Sequence, residues 1–221
     1  MSKSVELVVA HYKEDLSWIN MIKCQDVHVT IYHKLDRVEF ARLGDDPPVP
    51  ASFPGQSVTH KYLRNEGREA QTYLYHLAHE WDNIHPVTVF TQGKIWDHRL
   101  HPFDKTFIGG DPVEWINTGK WKDLRGFEPL TGWIATSDKD GGPWHPDMLP
   151  MDNAYKTFFG EDMPKTIEFH TGAIFAVDKQ AIEHLGFLKV NRLLTYSRTN
   201  QCFPWVAERL WKEFFTKDVV C

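Results

Sequence analysis

Two apolar runs near the start set the terms for the whole chain. "VELVVAHY" (5–12) and "DVHVTIYHK" (26–34) are short and rich in β-branched residues. Runs of this kind suit strands covered on both faces, the situation of a parallel sheet. Between them "KEDLSWINMIK" spaces Leu16, Ile19 and Ile22 as one face of a helix. Strand, helix and strand within about 30 residues form a βαβ unit, which needs a parallel sheet and a crossover. An all-β or all-α fold is excluded by this pattern alone.

The rest of the chain extends the unit. Residues 44–60, "GDDPPVPASFPGQSVTH", hold four prolines and two glycines and read as a loop that no regular element crosses. Thr72, Leu74, Leu77, Ala78 and Trp81 then mark a helix, and "VTVF" (87–90) a third buried strand. Residues 94–150 break into short pieces rich in Trp, Pro, Gly and His, expected as surface loops and short helices over one sheet edge. "AIFAV" restores a strand, with Asp178 as N-cap of "KQAIEHL", and "PWVAERLWKEFF" (204–215) is a closing amphipathic helix. At 221 residues without repeats or a linker, one domain spanning 1–221 is expected.

Net charge of -5 speaks against a general nucleic-acid binder, so such a partner requires a local basic patch. Cys24, Cys202 and Cys221 are odd in number and lack metal spacing, as expected of reduced thiols. The N-terminal apolar run is too short for a signal peptide, and no window approaches the ~20 apolar residues of a membrane span. A cytoplasmic protein without membrane contact is expected. The twelve histidines show no zinc-type spacing, and neither a nucleophile elbow nor a P-loop occurs. No metal and no cofactor are expected, and the oligomeric state is left open.

Ligands of open α/β sheets collect beyond the C-terminal ends of the strands. Three segments fall there: "AHYKED", "TQGKIWDHRLH" and "FHTG". His11, Gln92, Asp97, His98 and His170 are therefore candidate substrate-binding residues, although each one alone is an ordinary loop polar group. "NEGRE" (65–69) is the strongest local signal. Gly67 opens a helix whose first N–H groups lack partners, beside Arg68 and Glu69. Asn65 as a simple cap is the competing account, with Arg68 and Glu69 solvated. In "GGDPVEW" Asp111 and Glu114 stand three apart. They fit a capping box with Pro112 at the first helical position, or an acid/base pair or guanidinium clamp. Glu208, in "ERLW", either lies on a solvated face or turns inward to a cation.

"VVAHYKEDLSWI", "NEGREAQTYLYHL", "VTVFTQG", "TGAIFAV" and "AERLWKEFF" together resemble a fungal domain family of unknown function related in pattern to glycosyltransferase-A-fold proteins. The resemblance spans nearly the whole chain. It implies a single α/β domain with a mixed, mainly parallel sheet flanked by helices. Sugar transferases of that fold hold a divalent metal on an Asp-x-Asp at a strand end. Here "VFTQGKIWDH" has none, and Asp138-Lys139-Asp140 lies in a glycine-rich loop with no strand read before it.

The chain is also similar to the arginine-containing cyclodipeptide synthases of fungi. These join an arginyl and a second aminoacyl group from charged tRNAs into a cyclo-arginyl-Xaa diketopiperazine. Their Asp-Asp-x-x-Glu motif is met by Gly110-Asp111-Pro112-Val113-Glu114 at its second Asp and its Glu, but not at its first Asp. What the resemblance implies is a tRNA-dependent aminoacyl transferase with arginyl-tRNA and a second aminoacyl-tRNA as partners. Asp111, Glu114 and Glu69 are then the expected catalytic residues, and Arg68 and Glu208 join the substrate-binding set. Lys61, Arg64 and Arg68 form a candidate phosphate-binding face. A nucleotide-sugar glycosyltransferase using Asp97 or the 138–140 pair, and a non-catalytic binding protein, are the alternatives.

Overall fold

The computed structural model describes residues 4–36, 38–39, 57–96, 110–130, 133–142 and 149–220. The first half runs β1 (Val5–His11), a 3-10 turn (Ser17–Met21), β2 (Val27–Leu35), β3 (Ser57–Arg64), α1 (Arg68–His79) and β4 (Val87–Gln92). The second half holds α2 (Pro112–Asn117), β5 (Phe127–Pro129), β6 (Ile134–Ser137), α3 (Met151–Phe159) and β7 (Ile167–His170). It ends with β8 (Phe175–Asp178), α4 (Lys179–Leu185), α5 (Phe187–Thr199) and α6 (Phe203–Thr216).

Six strands form one sheet in the order β3-β2-β1-β4-β8-β5. β1 is parallel to β2 and β4, and β2 to β3, while β8 runs antiparallel to β4 and β5. β6 and β7 form a separate antiparallel pair. This is a single-domain α/β fold with a mixed, mostly parallel sheet, consistent with the glycosyltransferase-A-like architecture.

The sheet is covered on both faces, as the apolar runs require. Val8 and Ala10 of β1 face α1, α5 and α6 through Tyr73, Leu77, Val190, Leu210 and Phe214. Val5, Leu7 and Val9 face Trp18, Ile19, Trp115 and Trp121 on the other side. On the α1 face Glu6 is 4% exposed and accepts a hydrogen bond from Thr30 Oγ1 at 2.7 Å. His76 Nε2 stands 3.3 Å from the same carboxylate, and Tyr32 Oη lies 3.1 Å from His76 Nδ1.

Three expectations need correcting. The segment after β1 forms a short 3-10 turn and not an α-helix, because Asp15 binds both Ser17 N (2.8 Å) and Ser17 Oγ (2.7 Å) and Trp18 Nε1 is tied to Gly93 O at 2.8 Å. Leu16, Ile19 and Ile22 are nevertheless buried, so the periodicity found the right face. The expected loop over 44–60 ends early. β3 begins at Ser57, and residues 44–56 lie outside the described set. Finally, β6 stands immediately before Asp138, so that aspartate does follow a strand. Sequence reading also passed over α3 and α5, and over the short strands β5 and β6 within 94–150.

Candidate active site

The site follows from register. Ala10 of β1 pairs with Gln92 of β4 and Tyr32 of β2, all at the C-terminal ends of parallel strands. Lys34, two residues beyond Tyr32, shares its face, and β3 delivers the chain through Asn65 and Gly67 into α1. The start of α1 therefore overhangs the C-terminal edge of the sheet, where α/β folds place ligands.

Gly67 has φ +56° and Arg68 φ +48°, and a Cβ at position 67 would come within 2.6 Å of Gln71 Cβ and 2.9 Å of Ser197 O. Only glycine fits between α1 and α5. Asn65 is not the cap: Gly67 holds that place, without a side-chain hydrogen bond to the helix. The turn is held instead by Lys34, which is 4% exposed. Its Nζ donates to Glu66 O (2.6 Å), Arg68 O (3.1 Å) and Gln71 Oε1 (2.5 Å), using all three of its protons. Burial lowers the Lys34 ammonium to about 8, against the pull of Glu69 and Glu66.

Glu69 keeps 13% of its side chain exposed and lies 3.5 Å from Arg68 Nε. Burial pushes its carboxyl up, and the nearby Glu208 pushes the same way; Arg68, its own N–H and Lys34 oppose. A carboxylate held above its usual range in a cleft is placed to take and return a proton. Opposite it, Gly172 has φ +91° and Ala173 φ +49°. The Gly172 peptide is gripped at both ends: its N–H donates to Glu208 Oε1 (2.6 Å) and its carbonyl accepts from Gln92 Nε2 (2.6 Å). Two left-handed turns thus border the cavity that Glu69 lines, the kind of backbone strain that gathers at functional sites.

Two cavities of about 230 Å³ each meet here. One is lined by Tyr12, Glu14, Lys34 and Asn65, the other by Trp133, Phe169, Trp205, Glu208 and Arg209. Arg68, Glu69 and Gln92 belong to both. Arg68 lies over Trp205 at 5.2 Å and Arg209 over Phe169 at 4.8 Å. Arg209 is itself fixed by Gly141 O (3.0 Å) and Trp205 O (2.9 Å).

The structure therefore gathers Arg68, Glu69, Gln92 and Glu208, four of the expected residues. His170 stands just beside them, in a narrow pocket that also touches Glu208 and Arg209. Asp111 and Glu114 stand elsewhere. They belong to α2, whose apolar residues pack on the opposite face of the sheet. Asp111 Oδ1 accepts from Val113 N (2.9 Å) and Glu114 N (3.2 Å), and Glu114 is exposed, which is the capping arrangement. Asp97 and His98 lie outside the described residues, as does Cys221. Lys61 is engaged in an ion pair with Glu80. Asp138 Oδ1 accepts from Asp140 N and Gly142 N, both in its own turn. Lys34, Glu14, Trp133 and Trp205 were missed by sequence reading. A lysine ending a buried strand was a usable signal for the first.

His11 also lies apart, on the face of Val9, in a row with His33 and His60. His11 Nδ1 meets His33 Nδ1 at 3.0 Å, and His33 Nε2 meets His60 Nδ1 at 2.9 Å. His11 Nε2 lies 3.0 Å from Glu14 O, a carbonyl that can only accept, so this nitrogen carries the proton. The direction of the row is then fixed, each neutral ring donating toward Glu14. Burial, with the charges of His11 and His60, lowers His33 to about 4 from an ordinary 6.5. A depressed histidine stabilises the fold fully above about 6.5, and that contribution fades as pH falls toward about 4. Urea midpoints measured from pH 7.5 to 4 are expected to fall through this window, and less steeply in His33→Phe. An unchanged slope in that variant would rule the row out as the titrating element.

A single-domain α/β protein with a mixed, mostly parallel sheet and a carboxylate-lined cleft at the strand ends is the class that the fold defines. The chain belongs to the DUF3431 family of proteins of unknown function, whose profile matches residues 7–221. No curated protein matches it. No helix among the described residues is long and apolar enough to cross a membrane, and no group of three or more metal-ligating side chains occurs among them.

Proposed function

We propose that this protein is a tRNA-dependent cyclodipeptide synthase, joining an arginyl and a second aminoacyl group into a cyclic dipeptide. The observation that carries the reading is the meeting of two cavities of equal size at one half-buried carboxylate, Glu69. A reaction between two acyl substrates needs two pockets and a shared proton acceptor.

The chemistry matches the groups present. The α-amine of one aminoacyl ester attacks the acyl carbon of the other, forming a C–N bond and breaking the C–O bond to the ribose. Glu69 takes the proton from the attacking amine and returns it to the departing ribose hydroxyl. The second amine then closes the ring on the first ester in the same way, so two esters yield two amides and two free tRNA ends. The esters are already activated, and no nucleoside triphosphate is required. The start of α1, without a side-chain cap, offers N–H groups and its dipole to the oxyanion. Holding both esters against one base supplies much of the acceleration through proximity.

Incubation with arginyl-tRNA and a mixture of other aminoacyl-tRNAs, followed by mass spectrometry, tests this. An arginine-containing diketopiperazine is the expected product. Absence of any such product, with the charged tRNAs shown to remain intact, overturns the reading.

A further inference from the structure

We infer that the two cavities hold different kinds of side chain: the one beside Glu14 takes the cationic residue, and the one beside Trp205 takes a residue with a flat ring. This rests on the two-substrate reading above and adds to it the class of the second substrate.

The first half follows from which polar atoms are already engaged. Lys34 lines the Glu14 cavity, but its three protons all go to the 66–71 turn. Arg68 is engaged with Glu69 and with the face of Trp205. Lys34 is thus directed into the protein, while Arg68, 55% exposed, holds its guanidinium over a ring of the other cavity. The carboxylates of the Glu14 cavity are not equally taken up. Glu14 Oε2 accepts from Tyr12 N at 2.5 Å and packs against Gly93, where a Cβ would come within 2.6 Å of it. That contact fixes the carboxylate at the cavity wall and leaves its other oxygen for a ligand donor. A guanidinium or ammonium entering here meets Glu14 at its far end, while its ester end lies at Glu69.

The second half follows from the aromatic lining. Trp133, Phe169 and Trp205 line the other cavity, and two of these rings carry a guanidinium, Arg209 on Phe169 and Arg68 on Trp205. A cation over an aromatic ring holds that ring in place. Rings held rigidly in this way present flat surfaces, which offset stacking uses better than a branched aliphatic chain does. Glu208 cannot serve a cation there as freely as Glu14 does: Oε1 is taken by the Gly172 N–H and Oε2 lies 3.9 Å from Arg209. The two cavities are therefore chemically distinct despite their equal size.

Arginine methyl ester and phenylalanine methyl ester, which mimic the aminoacyl ends, separate the possibilities in saturation-transfer NMR. Both are expected to bind, and to bind together. Glu14→Gln should weaken the arginine ester at least ten-fold and leave the phenylalanine ester unchanged. Trp205→Leu, which keeps apolar bulk without the ring, should do the reverse, and leucine methyl ester should bind the parent more weakly than the phenylalanine ester. Displacement of one ester by the other, or equal loss of both in either variant, overturns the assignment of the cavities. If an arginine diketopiperazine forms in the tRNA assay but its partner is aliphatic and insensitive to Trp205→Leu, the assignment fails while the synthase reading stands. Failure of both binding and turnover removes the two together.

Discussion

Glu69→Gln is expected to slow product formation by at least ~100-fold, the lower end of what a positioned acid or base contributes, without weakening the fold. The substitution keeps the size of the side chain and removes a buried charge, so urea unfolding should occur at the same concentration or slightly higher. The pH profile gives a second readout. Because burial and Glu208 hold the Glu69 carboxyl above its ordinary range, the acid limb of the parent's rate should lie above pH 4.5, and this limb should vanish in the variant. Glu114→Gln is the natural control, since Glu114 is exposed on α2 against the other face of the sheet. Full turnover by a folded Glu69→Gln protein would remove Glu69 from the chemistry.

His76→Leu should be the most damaging of the core changes. Glu6 is 4% exposed, and His76, fully buried, faces it at 3.3 Å. Burial by itself works to raise the Glu6 carboxyl, but the hydrogen bond and charge of His76, with the Thr30 hydroxyl, outweigh it and lower it to about 2. Taking away the partner leaves a buried charge uncompensated, which costs about 3–5 kcal/mol. The Tyr32 hydroxyl loses its neighbour at the same time. A depressed carboxyl stabilises the fold above its unfolded value of 4.5, and the contribution disappears as pH falls toward 2. The variant should therefore lose the acid sensitivity of that window along with its stability at neutral pH. Adding Glu6→Leu should recover part of the loss, since the pair and not the position is at fault. A loss below about 1 kcal/mol in His76→Leu would show that the pair is not coupled in the way argued.

The fold was legible where burial leaves a mark on consecutive residues. β1, β2 and β4 are covered on both faces, and their sequences are accordingly rich in β-branched and apolar residues with few exposed positions. β3 is an edge strand, and Ser57, Thr59, His60 and Lys61 carry no such mark, so the proline-rich stretch before it was read as running on. The turn after β1 deceived for a different reason. Leu16, Ile19 and Ile22 need only face the sheet, and a 3-10 turn fastened by Asp15 and Trp18 achieves this in fewer residues than an α-helix. At the site, Arg68 and Glu69 were legible because a glycine opening a helix is a local signal. Glu14 and Lys34 meet because β1 and β2 pair in parallel, and Trp205 arrives on α6, so none of the three is signalled by its own neighbours in sequence. Asp111 and Glu114 form a pattern that is complete within one turn of helix, and such a pattern carries no information about what lies across the sheet.

β8 reaches its place between β4 and β5 only after 174 residues have been made, and α6 closes over the same face later still. Glu14, Lys34 and Glu69 are thus synthesised long before Trp205, Glu208 and Arg209, which complete the second cavity. A chain emerging from the ribosome has half a site for most of its synthesis, with Tyr73 and Phe90 awaiting Phe175 and Trp211. Until that aromatic layer docks, one broad apolar face of the sheet is open to the surroundings. The second cavity therefore forms late, and a chain shortened by its last helix lacks the residues Trp205, Glu208 and Arg209 that line it.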